Sequence, residues 1–170
     1  IGFRIFAPVI SRFPIGVGFF LGSALGRLFY YLDYKHKVIA YSNLKTAFLT
    51  RLSPAEINKL AKEFYQSLGQ SLIEIFYIPR MDEDYIKKYI SFEGLDYIDQ
   101  AFKRGKGVIL LSVHAGSWEL SNILSANFGF PFSLFIRDQR HPRLDGLLNA
   151  YRRQKGCKII QRKNQIGGLI

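Results

Sequence analysis

Apolar and polar positions alternate with different periods along this chain, and each period predicts an element. From Phe13 to Leu32 the residues are apolar almost without interruption, Arg27 being the one charge. Ser53-Pro54-Ala55-Glu56 then reads as a capping box with proline at the first helical position. Ile57, Leu60, Ala61, Phe64, Leu68, Leu72 and Ile75 follow at helical spacing, which predicts a long helix with that stripe packed in the core. Asp82 caps a short helix reaching about residue 90, and residues 89–93 read as a short strand. A helix over 95–104 stops at Gly105. Residues 108–113 are a short, partly β-branched apolar run, the pattern of a buried strand. A helix over 118–127, a strand over 132–137, a helix over 142–155 with Gly156 after it, and a strand over 157–161 complete the pattern.

Strands alternating with helices imply an α/β fold, a mostly parallel central sheet with packed helices joined by right-handed crossovers. Residues 1–34 form an N-terminal hydrophobic membrane anchor in this reading, and residues 35–170 an α/β domain. The chain has no initiator methionine and ends on Gly167-Gly168-Leu169-Ile170, so the domain is expected to be incomplete at its C-terminus.

The 13–32 run is long enough for the ~20 residues a bilayer span requires. Arg27 lies near its end, within snorkelling reach of head groups, and Tyr30, Tyr31 and Tyr34 suit an interfacial belt. Gly16, Gly18, Gly22, Ser23 and Gly26 are residue types common in membrane helices. The run therefore predicts a helix that crosses the membrane or lies on it, the alternative being a buried hydrophobic helix of a soluble core. Lys35, Lys37, Lys45 and Arg51 after it, against Arg4 and Arg12 before it, favour a cytoplasmic body.

Charge is unevenly spread. Residues 1–52 hold seven Lys/Arg and one acid, residues 53–133 hold eight against ten, and residues 134–170 hold nine against two. Basic ends around a mildly acidic middle imply an anionic partner: a lipid head group, an acidic carrier protein or nucleic acid. Cys157 is the single cysteine, which excludes an internal disulfide and a cysteine-based zinc site. His36, His114 and His141 are too scattered for metal-ligand spacing, and no metal is expected.

The most chemical stretch is Ser112-Val113-His114-Ala115-Gly116-Ser117-Trp118-Glu119. The predicted strand ends at His114, and Ser117 is placed to cap the next helix, with Glu119 in its first turn. That is where ligands bind in open α/β sheets. On one continuous helix these two side chains would diverge by roughly 140°. A loop ending in a helix cap lets the chain fold back, so that Glu119 can hold one ring nitrogen while the other accepts a proton, the arrangement of a general base. A core histidine satisfied by a backbone carbonyl is the alternative. Arg137, at a strand's carboxyl end, suits a phosphate or a developing oxyanion. There is no Gly-x-Ser-x-Gly elbow and no phosphate-binding Gly-x-x-x-x-Gly-Lys-Ser/Thr loop.

His114-x4-Glu119 after an apolar strand resembles the signature of the glycerolipid and lysophospholipid acyltransferase superfamily. The surrounding text is most similar to one branch, the late, Kdo-dependent lipid A biosynthesis acyltransferases. The similarity is carried by Leu25-Gly26-Arg27-Leu28 with Tyr31-Leu32-Asp33, Asn43-Leu44-Lys45-Thr46-Ala47-Phe48, Gly105-Lys106-Gly107, Arg137, and His141-Pro142-Arg143-Leu144-Asp145 through Arg152 to Arg162-Lys163. At Ile136 the branch has a tyrosine.

The resemblance implies O-acyl transfer from an acyl-carrier-protein thioester or acyl-CoA to a hydroxyl of a lipid A precursor, without a cofactor, on the cytoplasmic face of the inner membrane. It implies His114 and Glu119 as catalytic residues, and Arg137, Arg152, Arg162 and Lys163 as substrate-binding or oxyanion-stabilising residues. Two other readings stay open. One is transfer to another membrane lipid, such as a mannosylated phosphoinositide or an ornithine-type lipid. The other is a non-enzymatic basic module that binds membranes or nucleic acid. The acyltransferase reading itself expects no nucleic-acid partner.

Overall fold

The computed structural model describes residues 7–126, 128–137, 139 and 141–161. The chain divides into two compact units, Ile1–Tyr77 and Ile78–Ile170.

The first unit is helical. α1 (Ile15–Leu32) starts after Pro14, and α2 (Tyr34–Phe48) starts at Asp33, whose side chain accepts from the backbone N–H of His36. α3 (Pro54–Glu74) carries the full capping box, with Ser53 and Glu56 each bonding the other's backbone N–H. A 3-10 stretch, Ile75–Arg80, follows it. Among the described helices α1 alone is long and apolar enough to cross a membrane.

α1 and α3 meet along two rows of four-residue spacing. Gly18, Gly22, Gly26 and Tyr30 are the buried residues of α1, while Ile57, Ala61, Tyr65 and Ile73 are buried along α3. Backbones touch where glycine permits it. A Cβ on Gly22 would lie 2.7 Å from the Gly69 carbonyl oxygen, and one on Gly26 would collide with the Tyr65 carbonyl. Tyr30 and Tyr65 stack edge to face at 5.7 Å, and with Ala61 they form a cluster closed by Ala40 and Leu44. The stripe read from sequence is thus corrected. Phe64 and Leu72 are exposed, and the buried line runs through Tyr65 and Ile73 instead. Close backbone approach at Gly69 decides which face is covered, and a pattern of apolar residues carries no signal for that.

The second unit contains the α/β part. α4 (Glu83–Tyr89) is capped by Asp82, and α5 (Leu95–Lys103) follows. α6 (Trp118–Ser125), β1 (Ser133–Ile136), α7 (Pro142–Gln154) and β2 (Lys158–Gln161) complete it. β1 and β2 pair in parallel, Ser133 opposite Lys158 and Ile136 opposite Gln161, with α7 as the connection. Gly156 adopts φ 89° directly after α7, so the chain turns out of the helix into β2 without a Cβ clash. Met81, Ile123, Leu124, Leu134, Leu148 and Cys157 are buried in this unit.

The sheet among the described residues has two strands. The expected strand over 108–113 forms no ladder, and Ile109 and Leu111 are 95% and 97% exposed. Residues 90–93 likewise form no strand. A strand needs a neighbour for its N–H and C=O groups; an apolar run shows strand-like composition without naming that neighbour. The fold is a mostly helical α/β arrangement with a small parallel sheet.

Candidate active site

The polar centre of the second unit is built from α6 and α7. Glu119 sits in the first turn of α6, where a carboxylate is favoured by the helix dipole. Arg152 lies in the last turn of α7, where the same effect favours a cation. The two side chains meet in a bidentate pair: Arg152 Nε donates to Glu119 Oε1 and Arg152 Nη2 to Oε2, both at 2.7 Å. Their side chains are 6% and 7% exposed. A planar guanidinium fork matches two carboxylate oxygens, and charge-assisted bonds of this kind are about twice as strong as neutral ones.

The network continues along one face of α7. Arg152 Nη1 donates to Asn149 Oδ1 at 2.7 Å, and Asn149 Nδ2 donates to Asp145 Oδ2 at 2.9 Å. Asp145 Oδ1 in turn accepts from the backbone N–H of Gln139 at 2.9 Å. One connected set of bonds therefore ties the start of α6 to the segment that leaves β1. Arg137 begins that segment and is exposed. Asn149, 3% exposed, and Asp145 had no role in the sequence reading. Their signal is positional: Asp145, Asn149 and Arg152 recur at i, i+4 and i+7, so they share one side of the helix.

His114 is exposed, and its ring centroid lies 6.0 Å from that of Trp118, at 36° between planes. Gly116, at φ 56°, takes the left-handed turn between His114 and the start of α6. The pairing anticipated between Glu119 and His114 is replaced here: both Glu119 oxygens go to Arg152. The physical reason is competition. An exposed imidazole can bond to water, whereas a buried guanidinium requires an anion. Ser117 precedes α6 without a side-chain capping bond. Arg162 and Lys163 lie outside the described residues.

Cys157 links β2 to α6, its Sγ lying 3.7 Å from the Asn122 carbonyl oxygen. Burial pushes the thiol's pKa above its ordinary value, Arg152 drawing it part of the way back. Among the described residues no group of three or more His, Cys, Asp or Glu is placed to hold a metal ion.

The family profile of the bacterial lipid A biosynthesis acyltransferases matches residues 3–170. A lipid A biosynthesis acyltransferase of Haemophilus influenzae is 26% identical over 132 residues, 78% of this chain and 41% of that protein. The lipid A biosynthesis palmitoleoyltransferase of Escherichia coli K12 is 30% identical over 109 residues, 64% of this chain and 35% of its own length. The lipid A biosynthesis myristoyltransferase of the same organism is 24% identical over 146 residues, 86% and 45% of the two chains. The chain thus spans between about a third and a half of the length of these relatives. No solved structure matches it. With the profile covering all but its first two residues, the chain belongs to the bacterial lipid A biosynthesis acyltransferase family.

Proposed function

We propose that this protein transfers a fatty acyl chain from an acyl thioester to a hydroxyl of a lipid A precursor, with His114 as general base. The imidazole takes the proton of the acceptor hydroxyl as its oxygen attacks the thioester carbonyl. The tetrahedral intermediate collapses, the C–S bond breaks, and the thiolate leaves with the proton carried by the imidazolium. General-base help of this kind contributes typically about 10²–10⁴ in rate.

The observation that carries this reading is an exposed histidine five positions before a carboxylate that is locked in place. Arg152 fixes Glu119 at the start of α6, close in sequence to the histidine's segment. Glu119 is a positioning residue in this reading: it anchors the start of α6, which follows the His114 segment, while the exposed imidazole stays open to the acceptor hydroxyl. Arg137, on the segment tethered by Asp145, binds an acceptor phosphate or the developing oxyanion. Arg162 and Lys163 add positive charge for binding the anionic substrates.

The donor is an acyl-carrier-protein thioester or acyl-CoA. Residues 134–170, with nine Lys/Arg against two acids, suit either anionic donor and a phosphorylated glycolipid. The protein works at the cytoplasmic face of the inner membrane, in agreement with the cations that follow α1. The test is an acyl-transfer assay of the full-length protein with labelled acyl-carrier protein, labelled acyl-CoA and several lipid acceptors. Preferred transfer to a lipid A precursor, lost in His114→Ala, is the expected result. Equal transfer to unrelated membrane lipids would remove the acceptor assignment.

A further inference from the structure

We propose that the first unit binds the membrane from one side, with α1 lying in one leaflet and locked to α3, and that α1 does not cross the bilayer. This goes beyond the acyl-transfer reading and does not rest on it.

Length alone permits a crossing, since 18 residues of helix reach about 27 Å. The packing of α1 argues against one. Its Gly18, Gly22 and Gly26 row is occupied by α3 and the residues after it: Tyr77 at Gly18, Gly69 and Gln70 at Gly22, Tyr65 and Gln66 at Gly26. The bonds along the seam are polar. Lys62 Nζ donates to the Tyr31 hydroxyl at 3.0 Å. Arg27 donates through Nε to the Gln66 amide oxygen at 3.0 Å, in the amide orientation that satisfies both groups. A vertical α1 would carry Gln70 and the α3 backbone at Gly69, packed against Gly22 in the middle of α1, into hydrocarbon together with the adjoining polar positions of α3. Polar groups at that depth are costly and demand an interior or aqueous face.

The opposite face of α1 is apolar and uncovered. Phe20, Leu21, Leu25, Leu28, Phe29 and Leu32 are between 45% and 72% exposed. Arg12 and Lys35 flank α1 in the chain and are exposed, as are Lys45 and Arg51, while Asp33 is the single acid of residues 1–52, Glu56, Glu63 and Glu74 all lying on α3. Tyr31 and Tyr34 are 60% and 72% exposed at the end of α1, where head groups would lie. An apolar face with cations beside it fits a leaflet that carries anionic head groups.

The test places single cysteines at Arg12 and Lys35, exposed residues that flank α1, in full-length protein whose other cysteines, Cys157 included, are replaced by serine, in a bacterial inner membrane. In the one-sided arrangement both sites react with an impermeant maleimide from the same side of the membrane, inverted vesicles reporting one side and spheroplasts the other. Labelling of the two sites from opposite sides would show a crossing helix and overturn the proposal. Protection from both sides that is relieved by detergent would overturn it as well, as would loss of the protein from the membrane in high salt. A second arm uses Phe20→Glu/Phe29→Glu and vesicles containing phosphatidylglycerol. Binding should fall more than about tenfold with helix content unchanged; unchanged binding would contradict the assigned face.

Discussion

Arg152 and Glu119, 33 positions apart in the chain, meet as a buried bidentate pair at 2.7 Å on both contacts. Removing either partner leaves an uncompensated charge in the interior. Glu119→Gln or Arg152→Met should each destabilise the folded protein by about 3–5 kcal/mol. Joint replacement by apolar residues of similar volume should cost less than the sum of the single changes. Urea denaturation of the two single variants and the double variant measures the coupling directly, and strict additivity would contradict it.

Asn149 relays the same pair to Asp145. Asn149→Ala removes the acceptor of Arg152 Nη1 and should cost about 1–3 kcal/mol. The measurement is the denaturation midpoint at unchanged slope.

Gly22 and Gly26 hold α1 against α3 by backbone contact. Gly22→Leu or Gly26→Leu cannot be accommodated without separating the helices, because each new side chain starts inside the α3 backbone. Both should lower thermal stability sharply, whereas Gly16→Ala, with nothing within 4 Å of its Cβ, should be neutral or stabilising. Equal melting temperatures for the three variants would refute the tight seam.

Cys157 offers a pH signature. Its thiol titrates above the ordinary value because burial disfavours the thiolate. The resulting contribution to stability is complete below the unfolded thiol pKa of about 8.5 and is lost as pH rises through the higher folded value. Alkylation of the folded protein should therefore lag well behind that of the urea-unfolded protein between pH 8 and pH 9. Matching rates would place the thiol in water.

Much of this architecture was legible in the residues. The Ser53/Glu56 capping box, the Asp82 cap, Gly156 after α7 and the two short strands that flank α7 all rest on local signals, which act within a few residues. What escaped is non-local. The partner of residues 108–113 is not written in their own composition, and among the described residues they form no ladder. The buried face of α3 follows from where Gly69 lets another backbone approach. Glu119 was read with its sequence neighbour His114, but its charge is met by an arginine on another helix, and no spacing rule reports that distance.

The central claim is that His114 supplies the base of the reaction while standing outside the buried network. As an exposed side chain, its replacement by alanine should change stability by no more than about 0.5 kcal/mol. The decisive measurement is kcat/KM for acyl transfer by full-length wild-type and His114→Ala protein, alongside their denaturation midpoints. A fall in rate of about 10²–10⁴ at unchanged stability is the predicted result. Transfer by His114→Ala at the wild-type rate would contradict the account.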